Sequence, residues 1–251
     1  MVARSAEPLF SKSQVNRAGR LWAKFLPMYR RDKGEALRAF SAEDILESDD
    51  IIAWWRREHA YPLRMVNANL RHYVRDIPES SVTQRLKKHS TIVDKLSRHP
   101  NMDLTRMEDI GGCRITLPDQ RHVNDVVRKL RKNWNRSITR HRDYVANPKP
   151  DGYRAHHLVV ERKRRKVEVQ VRTRLQDLWA NTVEYDSRTV SRDLKSGLGP
   201  EVVQQYYRAV SELFAHAESE TQPPEELRSR VNDLYARVEP YLMGRSTTEP
   251  R

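Results

Sequence analysis

Residues 140–173 have the sequence RHRDYVANPKPDGYRAHHLVVERKRRKVEVQVRT, and the fold of the chain is organised around them. The Asn, Pro, Asp and Gly residues of the first half predict a loop. Two extended runs follow, at residues 157–160 and 167–172, and a basic segment at 161–166 is expected to link them. The stretch therefore predicts a loop and then a pair of strands.

The second extended run carries polar side chains at regular spacing. Its valines alternate with Glu168, Gln170 and Arg172, and a period of two places the valines on one face of a sheet and the polar residues on the other. The polar side chains are about 7 Å apart at this spacing, and their chemistry suits a phosphorylated ligand. The same alternation also fits a half-solvated antiparallel strand without a ligand, so both interpretations are open here.

The chain is strongly basic but has the composition of a folded protein. Its 251 residues are 37% hydrophobic and 32% charged, and the apolar residues recur with helical or strand periods. The formal net charge of +13 favours polyanionic partners such as nucleotides, RNA or an anionic membrane surface. A charge excess does not by itself distinguish specific from non-specific binding.

The cysteine and the apolar segments indicate a compartment. Cys113 is the single cysteine, which excludes an intramolecular disulfide and a cysteine-cluster metal site; within an apolar run it is expected to fill the core. No run approaches the roughly 18 apolar residues of a membrane span. The first residues, MVARSAEPLF, lack an apolar signal core. We therefore expect a cytoplasmic protein with no membrane partner.

Changes in periodicity predict three regions. Residues 1–78 are expected to form a helical N-terminal module, residues 79–190 an α/β domain, and residues 191–251 C-terminal helices and a tail. The two C-terminal helices are expected either to pack on the sheet or to form an oligomer interface. Residues 1–10 and those from 244 onward are expected to be mobile.

Capping residues and breaks predict several helix boundaries. Residues 48–50, Ser-Asp-Asp, form an N-cap signal for a helix starting at Ile51, which Pro62 is expected to interrupt. Ser90 is expected to cap a helix that ends at Arg98. A polar link is expected at residues 188–199.

Two local patterns suit phosphate and metal chemistry. Arg85, Lys87, Lys88 and Lys95 surround the predicted helix start at residue 90, and such a helix N-terminus suits a phosphate group, although a solvated basic face gives the same pattern. Asp109 precedes two glycines and an apolar strand, where it could hold a divalent cation. An ordinary turn also has this sequence.

Taken together, several sequence blocks resemble the synthetase domain of the RelA/SpoT family, over roughly residues 80 to 185. The blocks are RLKKHSxxxxK at 85–95, DIGGCRI at 109–115, RDYVANPKPDGYRAHH at 142–157, EVQVRT at 168–173 and LWA at 178–180. The resemblance implies an α/β (α+β) fold with a nucleotidyltransferase-like mixed β-sheet core, flanked by helices and extended by helices at both ends. It also implies transfer of the β,γ-pyrophosphate of ATP to the 3′-hydroxyl of an acceptor nucleotide, with Mg²⁺ as cofactor.

By position, the resemblance implies roles for individual residues. The residues implied to bind ATP are Arg85, Lys87, Ser90, Lys95 and Arg114. The residues implied to bind the acceptor are Lys149, Tyr153, His157, Gln170 and Arg172. Asp109 and Glu168 are implied to be catalytic and to hold the metal, with Glu168 as candidate base for the acceptor hydroxyl. Arg85 and Arg114 are implied to sandwich adenine, and Tyr153 to stack on the acceptor base.

The chain departs from the family pattern at Gly111, Asp151, Ala155 and His156. None of these departures removes a catalytic group, but Ala155 and His156 could alter the acceptor pocket. No His-Asp pair occurs, so the hydrolase domain of the long family members is expected to be absent, and the length leaves no room for their regulatory region. The sequence is therefore identified as that of a small, synthetase-only member.

The acceptor is left open by the sequence. The first hypothesis is GTP or GDP, giving (p)ppGpp, and the second is the 3′-CCA end of tRNA, as in toxic members that stop translation and that an antitoxin protein would neutralise. The basic residues 162–166 and the basic helix after Pro118 suit tRNA. An adenosine acceptor, giving (p)ppApp, and an RNA-binding module without activity are further alternatives. By analogy, residues 200–243 could assemble a homo-oligomer.

Overall fold

A computed structural model describes residues 9–189 and 200–243 of the chain. The helices are α1 (Lys12–Arg31), α2 (Lys33–Ala39), α3 (Ala42–Arg57), α4 (Ala60–Val74), α5 (His89–Arg98), α6 (Gln120–Asn133), α7 (Arg174–Thr189), α8 (Glu201–Glu218) and α9 (Glu225–Leu242), with one 3₁₀ turn at Leu104–Arg106. The strands are β1 (Ser81–Leu86), β2 (Gly111–Leu117), β3 (Ile138–Asp143), β4 (His156–Arg162) and β5 (Arg165–Thr173).

The five strands form one mixed sheet in the order β1-β2-β5-β4-β3. The sheet is flanked by helices, which confirms the predicted fold class. By contacts the chain divides into two compact units. Unit 1 comprises the described residues up to 69, with 84–113 and 159–168; unit 2 comprises residues 70–83, 114–158 and the described residues from 169 onward.

The basic segment at residues 161–166 is not the link that the sequence predicts. β4 extends to Arg162 and β5 begins at Arg165, so that a two-residue turn joins them. Lys163 and Arg164 in this turn have φ of 50° and 59°, as a type I′ hairpin turn requires. The prediction failed because this turn type is usually signalled by Asn or Gly, and here two long basic residues adopt its backbone.

The alternation predicted for β5 is confirmed on its apolar face. Val167, Val169 and Val171 are fully buried. On the other face Glu168 and Gln170 are half-buried. Arg172 is only 3% exposed, so this face is not simply solvated as the ligand-free alternative would have it.

Some of the N-terminal helices do not begin where the sequence predicts. Ser11 caps α1 with a capping box to Gln14. The predicted cap at residues 48–50 is wrong, because α3 begins earlier with Ser41 as its N-cap, and Ser48 is buried inside the helix. Pro62 lies in the first turn of α4, where its missing N–H leaves no hydrogen bond unmade.

The core of unit 1 is built by the N-terminal helices and α5. α1 packs against α3 and α5. Fully or nearly fully buried members of this cluster are Val15, Ile51, Ile52, Ile92, Leu96, Leu104 and Ile110. Cys113 is 2% exposed, and burial raises the pKa of its thiol to about 12. It is a core residue, as the sequence predicts.

The core of unit 2 joins the loop before β4 to the C-terminal helices. Tyr153, Ala155 and Trp179 pack with Val203 and Tyr207 of α8. The indole Nε1 of Trp179 donates a hydrogen bond to the carbonyl of Tyr207 at 2.8 Å. The sequence predicts that these helices pack on the sheet or form an oligomer interface, whereas the buried face of α8 packs on α7 and on the loop before β4. An oligomer through these helices stays a prediction.

Some predictions concern residues outside the described ones. These are the mobile ends within residues 1–8 and 244–251 and the polar link, of which residues 190–199 are not described. The three-region division of the chain stays a prediction. Among the described helices none is long and apolar enough to span a membrane.

Candidate functional site

A carboxylate in unit 1 holds two ammonium groups. Lys87 Nζ lies 3.1 Å from Oδ2 of Asp109, and Lys95 Nζ lies 2.9 Å from Oδ1 and 3.0 Å from Oδ2. All three side chains are largely buried, with 13% of Lys87, 27% of Lys95 and 24% of Asp109 exposed. The structure therefore brings together three residues that the sequence assigned to phosphate and metal.

The backbone around Lys87 fixes this cluster in place. The Lys87 N–H donates to the carbonyl of Ile110 at 2.8 Å, directly after Asp109. The Lys87 carbonyl accepts a hydrogen bond of 2.7 Å from Nε of Arg56, which comes from α3. The end of β1 is thus tied to the entrance of β2 and to the N-terminal helices.

The charges of the two lysines decide the ionisation of Asp109. Burial raises the pKa of this carboxyl, but the ammonium groups of Lys87 and Lys95 outweigh burial and hold the pKa below its usual value. Asp109 is therefore a carboxylate at neutral pH. A net positive charge remains on the three residues, and it suits a polyphosphate.

The predicted serine cap of α5 is wrong. α5 begins at His89, and the residue with extended backbone before it is Lys88, at φ −62° and ψ 144°. Ser90 lies inside the helix and is exposed. A side chain caps a helix from the residue that precedes its first turn, which here is Lys88, so Ser90 is two positions too late. Its assignment to ATP stays a prediction, as does that of exposed Arg85.

Asp109 and Glu168 are the two carboxylates that the sequence assigned to a metal. Glu168 is half-buried on the polar face of β5, two residues before Gln170. Within residues 9–189 and 200–243 no cluster of three or more His, Cys, Asp or Glu side chains could hold a metal. Two carboxylates fit Mg²⁺ in nucleotide enzymes, where one or two carboxylates and the substrate phosphates supply the ligands.

A hydrogen-bonded network in unit 2 is centred on Arg172. Its NH2 donates to the Tyr153 hydroxyl at 2.8 Å and to Oε1 of Gln170 at 2.5 Å. The Tyr153 hydroxyl also lies 2.7 Å from Nε2 of His157. The structure thus brings together four of the five residues assigned to the acceptor.

The fifth acceptor residue, Lys149, lies against aromatic rings. Its Nζ is 4.9 Å from the centroids of both the Tyr144 and the Tyr153 rings. This distance is within the range of a cation–π interaction. Tyr153 itself packs in the core and is only 7% exposed, and Lys149 lies over the ring to which the resemblance assigns the acceptor base.

Arg114 is held by residues that the sequence analysis missed. Its NH1 lies 3.2 Å from Oδ1 of Asp177 and 3.2 Å from Oδ1 of Asn181. The same Asp177 oxygen lies 3.3 Å from NH1 of Arg172. Asp177 directly precedes the LWA block, and this position was the available signal.

Residues 154–156, which include the departures Ala155 and His156, are largely buried in the structure. Arg154 forms an ion pair of 2.7 Å with Glu218 at the end of α8, and the two side chains are 10% and 3% exposed. Ala155 is fully buried. His156 stacks on His141, with 3.2 Å between Nδ1 and Nε2. Burial lowers the pKa of both histidines.

The sequence is similar to that of known proteins over the part of the chain that carries these residues. Residues 84–189 match the family model described as "Region found in RelA / SpoT proteins". The GTP pyrophosphokinase YjbM of Bacillus subtilis is 31% identical over 170 residues, which cover 63% of this chain and 76% of YjbM. The chain belongs to the RelA/SpoT family. Several of its relatives in this family are named GTP pyrophosphokinase.

Further relatives support the RelA/SpoT assignment. The GTP pyrophosphokinase YwaC of Bacillus subtilis is 32% identical over 118 residues, 41% of this chain, and the match spans 56% of YwaC. The crystal structure of small alarmone synthetase 1 from Bacillus subtilis, bound to its product pppGpp, superposes with a TM-score of 0.51 at 26% identity. That match covers 72% of this chain and 94% of the other.

Proposed function

We propose that the chain transfers the β,γ-pyrophosphate of ATP to the 3′-hydroxyl of GTP or GDP and so makes (p)ppGpp. The observation that carries this proposal is the cluster in which Lys87 and Lys95 both contact the carboxylate of Asp109. It supplies the cations and the metal-binding carboxylate that pyrophosphoryl transfer needs. The relatives named GTP pyrophosphokinase support the choice of a guanosine acceptor.

The triphosphate of ATP would replace Asp109 as the partner of the two lysines. A triphosphate carries more negative charge than a carboxylate, so it would draw the ammonium groups of Lys87 and Lys95 towards its oxygens. Asp109, freed of one or both ion pairs, would then offer its oxygens to a cation. Arg85, Ser90 and Arg114 are the further residues proposed to bind ATP.

Asp109 and Glu168 would hold the Mg²⁺ ion. When bound, the ion neutralises the charge that spreads over the phosphate oxygens during transfer. Asp109 is suited to this role because it is ionised at neutral pH. Glu168 would also accept the proton of the acceptor 3′-hydroxyl, since a half-buried carboxylate on the polar face of β5 can serve as general base.

The network around Arg172 would bind the acceptor. Tyr153 would supply the ring for the guanine base, while Arg172, Gln170 and His157 would contact its ribose and phosphates. The guanidinium of Arg172 is oriented by two hydrogen bonds and by Asp177, so it is pre-organised for a phosphate. Lys149 would leave the Tyr153 ring for the 5′-phosphates.

A second candidate acceptor is the 3′ end of tRNA, which would make the chain a toxin with an antitoxin partner. The observation that favours it is the exposed basic face of α6, which consists of Arg121, Arg128, Lys129, Arg131 and Lys132. In unit 1 the hairpin turn also exposes Lys163 and Arg164. Such surfaces attract the phosphate backbone of RNA.

Incubation of the chain with γ-labelled ATP and Mg²⁺ tests the proposal. GTP, GDP, ADP and deacylated tRNA are offered separately, and both labelled acceptor and released AMP are measured. We expect label on GTP or GDP with equimolar AMP. Label on tRNA but not on nucleotides refutes the first candidate, and label on nucleotides but not on tRNA refutes the second. ADP as the labelled acceptor would identify (p)ppApp synthesis instead.

The turn variant Lys163→Glu/Arg164→Glu separates the two acceptors further. Both residues are exposed and lie at the tip of the hairpin, whereas Arg165 and Lys166 next to them pair with Glu58 and Glu108. If tRNA is the acceptor, we expect the variant to weaken its use and to spare GTP. Equal loss on both acceptors would show that the turn supports the shared site or the fold.

A further inference from the structure

Asp177 contacts two arginines that serve different substrates under the proposed function. Its Oδ1 lies 3.2 Å from NH1 of Arg114 and 3.3 Å from NH1 of Arg172. Arg114 is assigned to ATP and Arg172 to the acceptor. One carboxylate oxygen in unit 2 is therefore shared by the two sets of residues.

The other contacts of Asp177 fix its orientation. Oδ2 accepts a hydrogen bond of 3.0 Å from Nδ2 of Asn181, one turn later on α7. Asn181 in turn accepts from Arg114 at 3.2 Å. Asp177, Asn181 and Arg114 thus close a ring of two hydrogen bonds and one ion pair, and the Asp177 carboxylate cannot turn without breaking one of these contacts.

Arg172 depends on Asp177 for its charge balance. The side chain of Arg172 is 4% exposed, and its other hydrogen-bond partners, Tyr153 and Gln170, are uncharged. A buried guanidinium that loses its counter-charge is strongly disfavoured. Asp177 is the carboxylate that offsets this cost, and it also sets the direction in which NH1 points.

We propose that Asp177 is a positioning residue that holds Arg114 for ATP and Arg172 for the acceptor at the same time. This inference rests on the proposed function for the assignment of the two arginines. Asp177 touches neither the transferred group nor the hydroxyl under this proposal. Its loss should therefore weaken the binding of both nucleotides while the chemical step at saturation is retained.

The test is the binding of each nucleotide to Asp177→Asn. The probes are α,β-methylene ATP and GDP, each titrated by calorimetry with Mg²⁺ present. We expect both dissociation constants to rise roughly tenfold, as for loss of a charge-assisted hydrogen bond. In the transfer assay, KM for both substrates should rise while kcat changes less than about twofold. The reason is that an interaction made equally in the bound ground state and in the transition state affects KM and leaves kcat unchanged.

Variants that touch one arginine each provide the comparison. Asn181→Ala removes a contact of Arg114 and should weaken the ATP analogue most, whereas Gln170→Ala removes a contact of Arg172 and should weaken GDP most. Asp125→Asn is the matched control, since Asp125 pairs with Arg128 on the exposed face of α6. It should change neither affinity.

The outcomes separate this inference from the proposed function. If the wild-type chain binds both probes but Asp177→Asn weakens one of them or neither, the inference is wrong and the proposed function stands. If the wild-type chain transfers no pyrophosphate, the proposed function is wrong. The dissociation constants of the two probes still test whether Asp177 supports the binding of both nucleotides. Should Asp177→Asn fail to fold, Asp177→Glu keeps the charge but shifts it by one methylene, and it must weaken both probes together; a change in one alone overturns the inference.

Discussion

The ammonium group of Lys149 lies 4.9 Å from the centroid of the Tyr153 ring. An acceptor base that stacks on this ring and Lys149 would compete for the same surface. The side chain of Lys149 is exposed and long enough to move, whereas Tyr153 is fixed by its hydrogen bonds to Arg172 and His157. Acceptor binding should therefore displace the lysine, and the 5′-phosphates would be its new partner.

This relationship predicts how Lys149→Gln responds to acceptor phosphates. The variant loses the cation for the phosphates but also uncovers the ring. We expect the dissociation constant of GDP to rise roughly tenfold, as for a charge-assisted contact, while that of guanosine stays the same or falls. Calorimetric titration of both ligands measures this. Lys33→Gln, which removes a similar cation from the Tyr29 ring, is the control, and equal losses for GDP and guanosine would contradict the role of Lys149.

The metal assignment predicts loss of transfer in Asp109→Asn and in Glu168→Gln. Each variant keeps the size of the side chain but removes a negative charge that would hold the Mg²⁺ ion, so turnover should fall below detection. Asp109→Asn also leaves Lys87 and Lys95 without their counter-charge, and we expect about 1–3 kcal/mol lower free energy of unfolding. Transfer assays and urea unfolding measure the two effects. Appreciable turnover in either variant would refute the metal site.

The sequence predicts the parts of this site that depend on local patterns. The alternation of Val167, Val169 and Val171 with polar residues predicts β5 because a strand's period is visible within six residues. The cluster of Lys87, Lys95 and Asp109 is predicted by two sequence blocks that resemble the family, at 85–95 and 109–115. These residues lie within 22 positions of one another in the chain.

The contacts that the sequence did not reveal are those between distant segments. Glu218 lies 45 positions from Thr173, whose hydroxyl donates to it, and no periodic pattern relates the two. The role of Asp177 cannot be predicted from the residues around it on α7, because its partners Arg114 and Arg172 come from β2 and β5. Likewise the turn at Lys163 and Arg164 is set by the pairing of β4 and β5 and not by its own residues, which lack the usual preference for positive φ.

Arg165 provides a prediction for the stability of unit 1. Its guanidinium lies 4.1 Å from the centroid of Trp55, and its NH2 is 3.4 Å from a carboxylate oxygen of Glu58. Only 11% of the side chain is exposed, so the cation–π contact is desolvated and Arg165→Met should lower the free energy of unfolding by about 1–2 kcal/mol. Urea unfolding of Arg164→Met, at the exposed turn, provides the control. A loss of stability as large in the control would assign the effect to the hairpin and not to the tryptophan.

His59, which is buried in unit 1, should make the stability of the chain depend on pH. Burial lowers the pKa of His59 to about 4, against 6.5 for the free side chain. Between these values the unfolded chain binds a proton that the folded chain does not, so stability is fully present above pH 6.5 and is lost as the pH falls towards 4. The loss from this residue is on the order of 3 kcal/mol. His141 and His156 act in the same direction.

The variant His59→Asn isolates this contribution. Its amide can donate to the Trp55 carbonyl, which His59 Nδ1 contacts at 2.8 Å, and it does not titrate. We expect the free energy of unfolding, measured in urea from pH 7 to pH 4, to fall less steeply than in the wild-type chain. The same substitution at exposed His99 should keep the wild-type slope. Identical slopes for His59→Asn and the wild type would show that another group governs the acid response.

The close contact of Gly152 with α8 leads to a prediction about the loop before β4, which carries Tyr153. Its φ of +92° is a conformation that side chains rarely adopt, and a Cβ there would lie 3.1 Å from Cβ of Ser211 and 3.2 Å from Cα of Arg208. Its carbonyl also accepts a hydrogen bond of 2.5 Å from the Ser211 hydroxyl. Gly152→Ala therefore strains the backbone and pushes α8 away from the loop that carries Tyr153. We expect about 2 kcal/mol lower stability and a higher KM for the acceptor, with the KM for ATP nearly unchanged.

Gly34→Ala, inside helix α2, is the control for Gly152→Ala and should not destabilise the chain. If Gly152→Ala raised both KM values equally, α8 would support the whole of unit 2 and not the acceptor loop in particular.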